Sequence, residues 1–201
     1  MTMTLRETLF LLAHHSSGRP RIPNFVLEAG LAAAALMELR RLGTLELTDH
    51  GHVAVRATSP SGDPLLDRLL HQLTTGPPRL PHELLPACGG DVRQSVMAGL
   101  SAHGHCRLDP AGHVVAVERA GHRDDARSAI THGVHGGVAS DLGALLWATE
   151  LSGYVLGPAA FVTRLRLGRQ SAADPLALAV RQAFPLPVGA LRHHGSDGTV
   201  Y

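Results

Sequence analysis

The stretch from Leu27 to Leu42, which reads LEAGLAAAALMELRRL, constrains the fold of this chain more than any other part of the sequence. Between Ala29 and Met37 it contains no charged or polar side chain, and polar groups return only at Glu28 on one side and from Glu38 onward on the other. A helix that is apolar on every side lies inside a protein rather than on its surface. It is also shorter than the ~20 apolar residues that span a bilayer. We therefore expect a central, buried helix.

Composition and charge limit the classes of protein to consider. All 18 basic residues are arginine, 17 residues are acidic, and the formal net charge is +1. The chain as a whole therefore has no strong attraction to nucleic acid or acidic lipid, and any basic site must be local. The two cysteines are too few for a disulfide framework. The apolar run from Leu9 to Ala13 is too short for a signal-peptide core, so we expect a cytoplasmic protein, or one bound peripherally at the inner face of the membrane.

Hydrophobic periodicity predicts a mainly α fold, in which helices are joined by two β-hairpins. One unit occurs twice, because LMELRRLGTLELTDHGHVAV aligns with MAGLSAHGHCRLDPAGHVVA at an offset of 61 residues. Gly43 then meets Gly104, and Leu47 meets Leu108. We expect a single globular domain over residues 1–190, with packed helices around the buried central helix and a duplicated helix–hairpin unit. Residues 191–201 are predicted to form a flexible tail.

Capping signals predict where several of the other helices begin. Asp63-Pro64 is typical of a helix start, with the carboxylate as N-cap and proline at the first helical position. A short helix over Pro81–Leu85 is predicted separately from a helix over Asp91–Ala102. Ser140 or Asp141 is predicted to cap a strongly apolar helix that runs towards Leu156.

Five segments together resemble the Golgi phosphoprotein 3 family, including its bacterial relatives. The order and spacing of these segments match the family over most of residues 4 to 185. PSGDPLLDRLL after a hairpin is the most specific piece of the resemblance. The five segments are TLRETLFLLAHH, GLAAAALMELRRLGTLEL, SPSGDPLLDRLL, DVRQSVMAGLSAHG and the apolar helix near Leu142 to Leu156.

The resemblance implies a peripheral membrane protein that binds phosphatidylinositol 4-phosphate and adapts cargo enzymes for sorting, as the eukaryotic members do. Those members hold the phosphate with a tryptophan and three arginines, and they press an apolar hairpin tip into the bilayer. Forked guanidinium groups suit a phosphomonoester, which carries nearly two negative charges and accepts several hydrogen bonds. The implied ligand is an anionic lipid or a phosphoinositide head group. The second hairpin is also the predicted surface for a protein partner or for self-association.

Most head-group positions of the family have changed in this chain. Arg93 in DVRQS keeps one arginine, whereas the other two arginine positions fall on Gly90 and on Ala32. The tryptophan position falls near Pro23, and the nearest aromatic residue is Phe25.

Replacement groups are predicted in the loop before the central helix, where Arg19 and Arg21 could supply positive charge. The head-group residues predicted for this chain are therefore Arg93, Arg21, Arg19 and Phe25. The residues predicted to contact the membrane are Val114, Val115 and Val117 of the second hairpin.

Tandem winged-helix modules that bind DNA are the alternative function, because the repeated unit places a helix before each hairpin. A recognition helix needs several polar or basic side chains for bases and phosphates. The helix before the first hairpin is apolar, and the second carries only Arg93 and Gln94 as candidates. We rank nucleic-acid binding below the family function.

Metal binding and catalysis find less support in the sequence. His103, His105 and Cys106 lie close together, but a closed zinc site needs four ligands, and two neighbouring strand residues point to opposite sides. The chain contains no GxSxG, P-loop, Rossmann or HExxH pattern. We expect a non-catalytic protein without a metal or another cofactor.

Overall fold

A computed structural model describes residues 3–117, 122–131, 137–157 and 160–184. In these ranges the chain forms nine helices and two antiparallel hairpins of two strands each, which confirms the predicted mainly α fold. The predicted tail, residues 191–201, lies outside the described ranges. The helices are α1 (Leu5–Leu12), α2 (Asn24–Arg41), α3 (Pro64–Thr75), α4 (Pro81–Ala102), α5 (His122–Thr131), α6 (Val138–Ala148), α7 (Ser152–Leu156), α8 (Phe161–Ser171) and α9 (Pro175–Ala183). The strands are β1 (Leu45–Leu47), β2 (Val53–Val55), β3 (Cys106–Leu108) and β4 (Val114–Val117).

Helix α2 is the centre of the fold. Every residue from Ala29 to Met37 is buried, and no apolar side chain among them is more than 1% exposed. Helices α1, α4, α6 and α9 pack around it. The predicted burial is therefore confirmed, and the helix begins at Asn24, three residues before the predicted start.

A buried arginine ties three helices together at the polar side of this core. Arg6 of α1 is only 4% exposed, and its Nε lies 2.9 Å from Oε2 of Glu38 on α2. Its Nη2 donates to the Asp63 carboxylate. Asp63 also accepts from the backbone N–H groups of Leu65 and Leu66, which confirms the predicted N-cap of α3. The three side chains fix α1 and the beginning of α3 against α2.

Several other predicted helix boundaries are wrong. Neither Ser140 nor Asp141 caps α6, because the helix begins before them, at Val138 after Gly137. Helix α4 is continuous from Pro81 to Ala102 and runs through Pro86. Burial of Leu85 and Cys88 on either side of Pro86 offsets the hydrogen bond that a proline removes from a helix. The apolar helix predicted to reach Leu156 instead ends at Ala148, before Glu150 takes a φ of 60°, and α7 follows.

The duplicated unit is confirmed in detail. In both copies a glycine with positive φ ends the helix, Gly43 after α2 and Gly104 after α4. The following amide donates back to the helix in both, from Thr44 to the Leu39 carbonyl and from His105 to the Leu100 carbonyl. The hairpins differ by one residue, because β3 and β4 pair with a bulge whereas β1 and β2 pair regularly.

The close approach of α4 to α2 gives a testable prediction. A Cβ on Gly89 would lie 2.9 Å from the carbonyl carbon and oxygen of Glu28, whereas a Cβ on Gly90 would meet nothing within 4 Å. Gly89→Ala should lower the free energy of unfolding, because overpacking costs roughly 1–3 kcal/mol and the gain in helix propensity is at most about 1 kcal/mol. Gly90→Ala is the matched control and should raise it by roughly 0.5–1 kcal/mol. Urea unfolding measures both, and equal effects of the two substitutions would contradict the close packing.

Candidate functional site

Two of the predicted arginines act on His14, a buried histidine that follows α1: Arg21 binds its carbonyl, and Arg93 acts on it through its positive charge. Arg21 donates from Nε to the His14 carbonyl oxygen at 3.2 Å. Arg93 of α4 places Nη1 3.8 Å from Oε1 of Glu28, on the first turns of α2. His14 itself is 1% exposed, and its Nδ1 donates to the Phe10 carbonyl oxygen at 2.7 Å. The structure thus brings together residues that are far apart in sequence.

The pKa of His14 also reflects the positive charges of these arginines. Burial lowers the pKa of His14, and the positive charges of Arg93 and Arg21 lower it further, against the raising effect of the hydrogen bond to Phe10. His15 adds a smaller lowering effect. A neutral imidazole with its proton on Nδ1 satisfies the hydrogen bond to the Phe10 carbonyl. His14 therefore adds no positive charge next to the guanidinium groups of Arg21 and Arg93.

A third arginine, Arg123, lies over the ring of Tyr154, and the sequence analysis identified neither residue. The guanidinium carbon of Arg21 lies 3.7 Å from the centre of the Tyr154 ring, and that of Arg123 lies 4.6 Å from it. Such contacts orient a guanidinium over an aromatic face. Arg127 donates from Nε to the Val155 carbonyl at 2.9 Å, which ties α5 to α7 and keeps Arg123 beside the ring. We call Arg21, Arg93, Arg123 and Tyr154 the arginine cluster.

The arginine cluster retains donors for a ligand. The Nε atoms of Arg93 and Arg123 are buried and have no hydrogen-bond partner within the described residues. An unsatisfied donor near a charged centre is costly unless a ligand or water accepts from it. The Arg93 side chain is 26% exposed, so part of it reaches the surface. The arrangement can donate hydrogen bonds to the oxygens of an anionic group.

The other two predicted head-group residues border the cluster without joining it. Arg19 is exposed, and its side chain has no ion pair or hydrogen bond in the part of the chain that the structure describes. Phe25 is 44% exposed, and its ring centre lies 4.9 Å from that of Phe184. It precedes Glu28 by one turn of α2, on the same side of the helix.

The second hairpin is joined to this loop, and only part of it faces outward. Val117 is buried and donates its N–H to the Ser16 carbonyl at 3.1 Å, so its side chain belongs to the core. Val114 is half-buried, and Val115 is 38% exposed. A Cβ on Gly18 would lie 2.3 Å from the Val114 carbonyl oxygen, so a side chain there would push the loop off the strand. Membrane contact by this hairpin thus remains a prediction carried by Val115.

The structure also bears on the alternative functions. The helix before the first hairpin is buried on every side from Ala29 to Met37, so its middle presents no surface to a DNA groove. In the described ranges, no three His, Cys, Asp or Glu side chains are grouped so that they could hold a metal ion. No described helix is both long enough and apolar enough to cross a bilayer.

The sequence model of the Golgi phosphoprotein 3 (GPP34) family matches residues 5–185, which include all nine helices of the described ranges and both hairpins. No curated protein matches the chain.

The low pKa of His14 predicts a loss of stability in acid. In the unfolded chain this histidine titrates near 6.5, while the folded protein holds it neutral to lower pH. The unfolded state therefore binds more protons, and the free energy of unfolding should fall as the pH drops through 6.5, until the folded pKa is reached.

Urea unfolding at pH 7.5 and at pH 5.5 measures this effect. The difference between the two pH values should be smaller in His14→Gln than in the unsubstituted protein. The control is His71→Gln at an exposed position on α3, which should leave the difference unchanged. An unchanged difference in His14→Gln would contradict a neutral, buried His14.

Proposed function

Because the chain belongs to the Golgi phosphoprotein 3 family, we propose that it is a non-catalytic, peripheral membrane adaptor that binds the phosphorylated head group of an anionic lipid. The observation that carries the proposal is the arginine cluster, in which Arg21 contacts both the His14 carbonyl and the Tyr154 ring, Arg123 lies over the same ring, and the positive charge of Arg93 acts on His14. The cluster lies beside the N-terminal end of α2, next to Glu28 and Phe25.

The chemistry of the cluster suits a phosphomonoester. Each guanidinium offers several N–H donors in a fixed plane, and charge-assisted hydrogen bonds to phosphate are roughly twice as strong as neutral ones. Tyr154 and the His14 carbonyl already orient Arg21, so little side-chain freedom remains to be lost when a ligand binds. The neutral state of His14 keeps a further positive charge from opposing the close approach of the arginines.

The cluster also offers replacements for the changed family positions. Arg93 is the arginine that the family resemblance retains, while Gly90 and Ala32 stand where the other two would be. In this proposal Arg21 and Arg123 supply the missing guanidinium groups from a loop and from α5. The ligand is then a lipid phosphomonoester, with phosphatidylinositol 4-phosphate as the head group that the family implies.

Two substitutions with opposite effects test the proposal. Arg93→Ala should weaken binding to vesicles that contain phosphatidylinositol 4-phosphate by about tenfold or more, because a hydrogen bond to a charged group is worth roughly 1.5–3 kcal/mol. Glu28→Gln should strengthen binding, because it removes the carboxylate that competes with the phosphate for Arg93. Co-sedimentation at low salt, with phosphatidylcholine vesicles as the neutral reference, measures both.

Arg56→Ala is the matched control. Arg56 follows the first hairpin, its side chain is 70% exposed, and its Nη1 lies 3.9 Å from Oε2 of the exposed Glu46. It should leave vesicle binding within a factor of about two. If phosphatidylinositol 4-phosphate does not increase binding over phosphatidylcholine, or if Arg93→Ala binds like the unsubstituted protein, the proposed site is wrong.

A further inference from the structure

Helix α8 carries three exposed large apolar side chains, more than any other described helix. Phe161 is 64% exposed, Val162 is 77% exposed and Leu165 is 50% exposed. Other positions of the helix hold it to the protein, since Leu167 packs against Gly143 of α6 and Gly168 packs against Trp147. A contiguous apolar patch of this kind on a protein surface marks a contact with a partner or a membrane.

The polar residues on this side of α8 are basic. At 3.6 residues per turn, positions 161, 162, 165, 166 and 169 fall within roughly 140° of one face. Two of them are the exposed arginines Arg166 and Arg169, and the helix contains no acidic residue between Phe161 and Ser171. We call these five residues the α8 face.

The α8 face begins next to the arginine cluster. The Nη1 atom of Arg164, in the first turn of α8, lies 3.3 Å from the position that a Cβ would take on Gly153. Gly153 directly precedes Tyr154 in α7. The apolar patch of α8 and the two guanidinium groups over Tyr154 are therefore neighbours, with α7 between them.

We propose that the α8 face lies in the interface of an anionic bilayer, with Phe161, Val162 and Leu165 below the head groups and Arg166 and Arg169 at their level. The inference rests on the proposed lipid-binding function and adds a second contact, which depends on the bilayer and not on one head group. Amphipathic helices with basic polar residues bind membranes through buried apolar area together with attraction to anionic lipid. Each arginine that lies within one Debye length of an anionic leaflet adds to this attraction.

Charge favours the bilayer over a second copy of the chain as the occupant of this face. A second copy of the chain would bring the same arginines against each other, because a two-fold contact places one patch on itself. Like charges across an interface oppose association. An anionic lipid surface satisfies the apolar and the basic residues of the α8 face together.

The test uses the full chain with Phe161→Ser and Val162→Ser combined, which change two exposed side chains. The vesicles contain phosphatidylcholine alone, phosphatidylcholine with phosphatidylglycerol, or phosphatidylcholine with phosphatidylinositol 4-phosphate. Phosphatidylglycerol is anionic but has no phosphomonoester, so it reports on the α8 face separately from the arginine cluster. The double variant should bind both kinds of anionic vesicle about tenfold or more weakly than the unsubstituted chain.

Leu42→Ser is the matched control, because Leu42 is a 53% exposed apolar residue at the C-terminal end of α2. It should bind vesicles like the unsubstituted chain. If the double variant keeps full binding to phosphatidylglycerol vesicles, the inference about α8 is overturned. If the double variant loses binding to both vesicles but Arg93→Ala keeps its preference for phosphatidylinositol 4-phosphate, the α8 contact stands and the proposed head-group site fails.

Sedimentation velocity without lipid tests the other possible occupant of the α8 face, which is a second copy of the chain. A monomeric chain, with or without the two serines, supports the bilayer as the partner of the α8 face. A dimer that the double substitution dissociates would overturn the inference, because a second copy would then cover the face.

Discussion

Helix α2 has no side that faces water along its middle, and this single constraint arranges the rest of the molecule. The residues from Ala29 to Met37 are mostly small, so neighbouring helices come close enough for Gly89 of α4 to touch the backbone of Glu28. Each surrounding helix buries one side against α2 and turns the other outward. The polar end of α2 is fixed separately, where Glu38 and Asp63 share the buried charge of Arg6.

Because the middle of α2 is buried, the side chains that could bind a ligand lie at the ends of α2 and on the helices around it. At the N-terminal end, the loop before α2 lies against the second hairpin through Ser16 and Gly18. The same loop brings Arg21 over Tyr154 and close to His14, while α4 contributes Arg93. The proposed lipid site is thus assembled from parts that touch only because α2 holds their helices in place. The α8 face continues this side of the protein, so a basic region and an apolar region can meet one membrane together.

Much of the fold follows from patterns that the sequence carries locally. The absence of polar residues in α2 predicts its burial, and Asp63-Pro64 predicts the start of α3. The offset of 61 residues predicts the second helix–hairpin unit. Other features depend on tertiary contacts that no local pattern contains. Arg6 has the sequence context of an exposed first-turn residue, and its burial becomes evident only when Glu38 and Asp63 are in place.

The residues of the candidate site also divide into those that the sequence indicates and those that only the folded chain brings together. Arg93 and Arg21 could be selected from the sequence, one through the family resemblance and one through its place in the loop. Arg123 and Tyr154 could not, because they come from α5 and α7 and join Arg21 only in the folded chain. The bulge between β3 and β4 also escapes a sequence reading, although it decides that Val117 lies in the core while Val115 is exposed.

Amide hydrogen exchange, measured with and without anionic vesicles, tests the central claim most directly. If the middle of α2 is shielded from water, the amides from Ala29 to Met37 should exchange only by global unfolding, both with and without vesicles. Added protection on vesicles should appear in residues 14–23 and at the start of α8. Exchange of the α2 amides through local opening, or vesicle protection confined to the first hairpin and α3, would contradict this account.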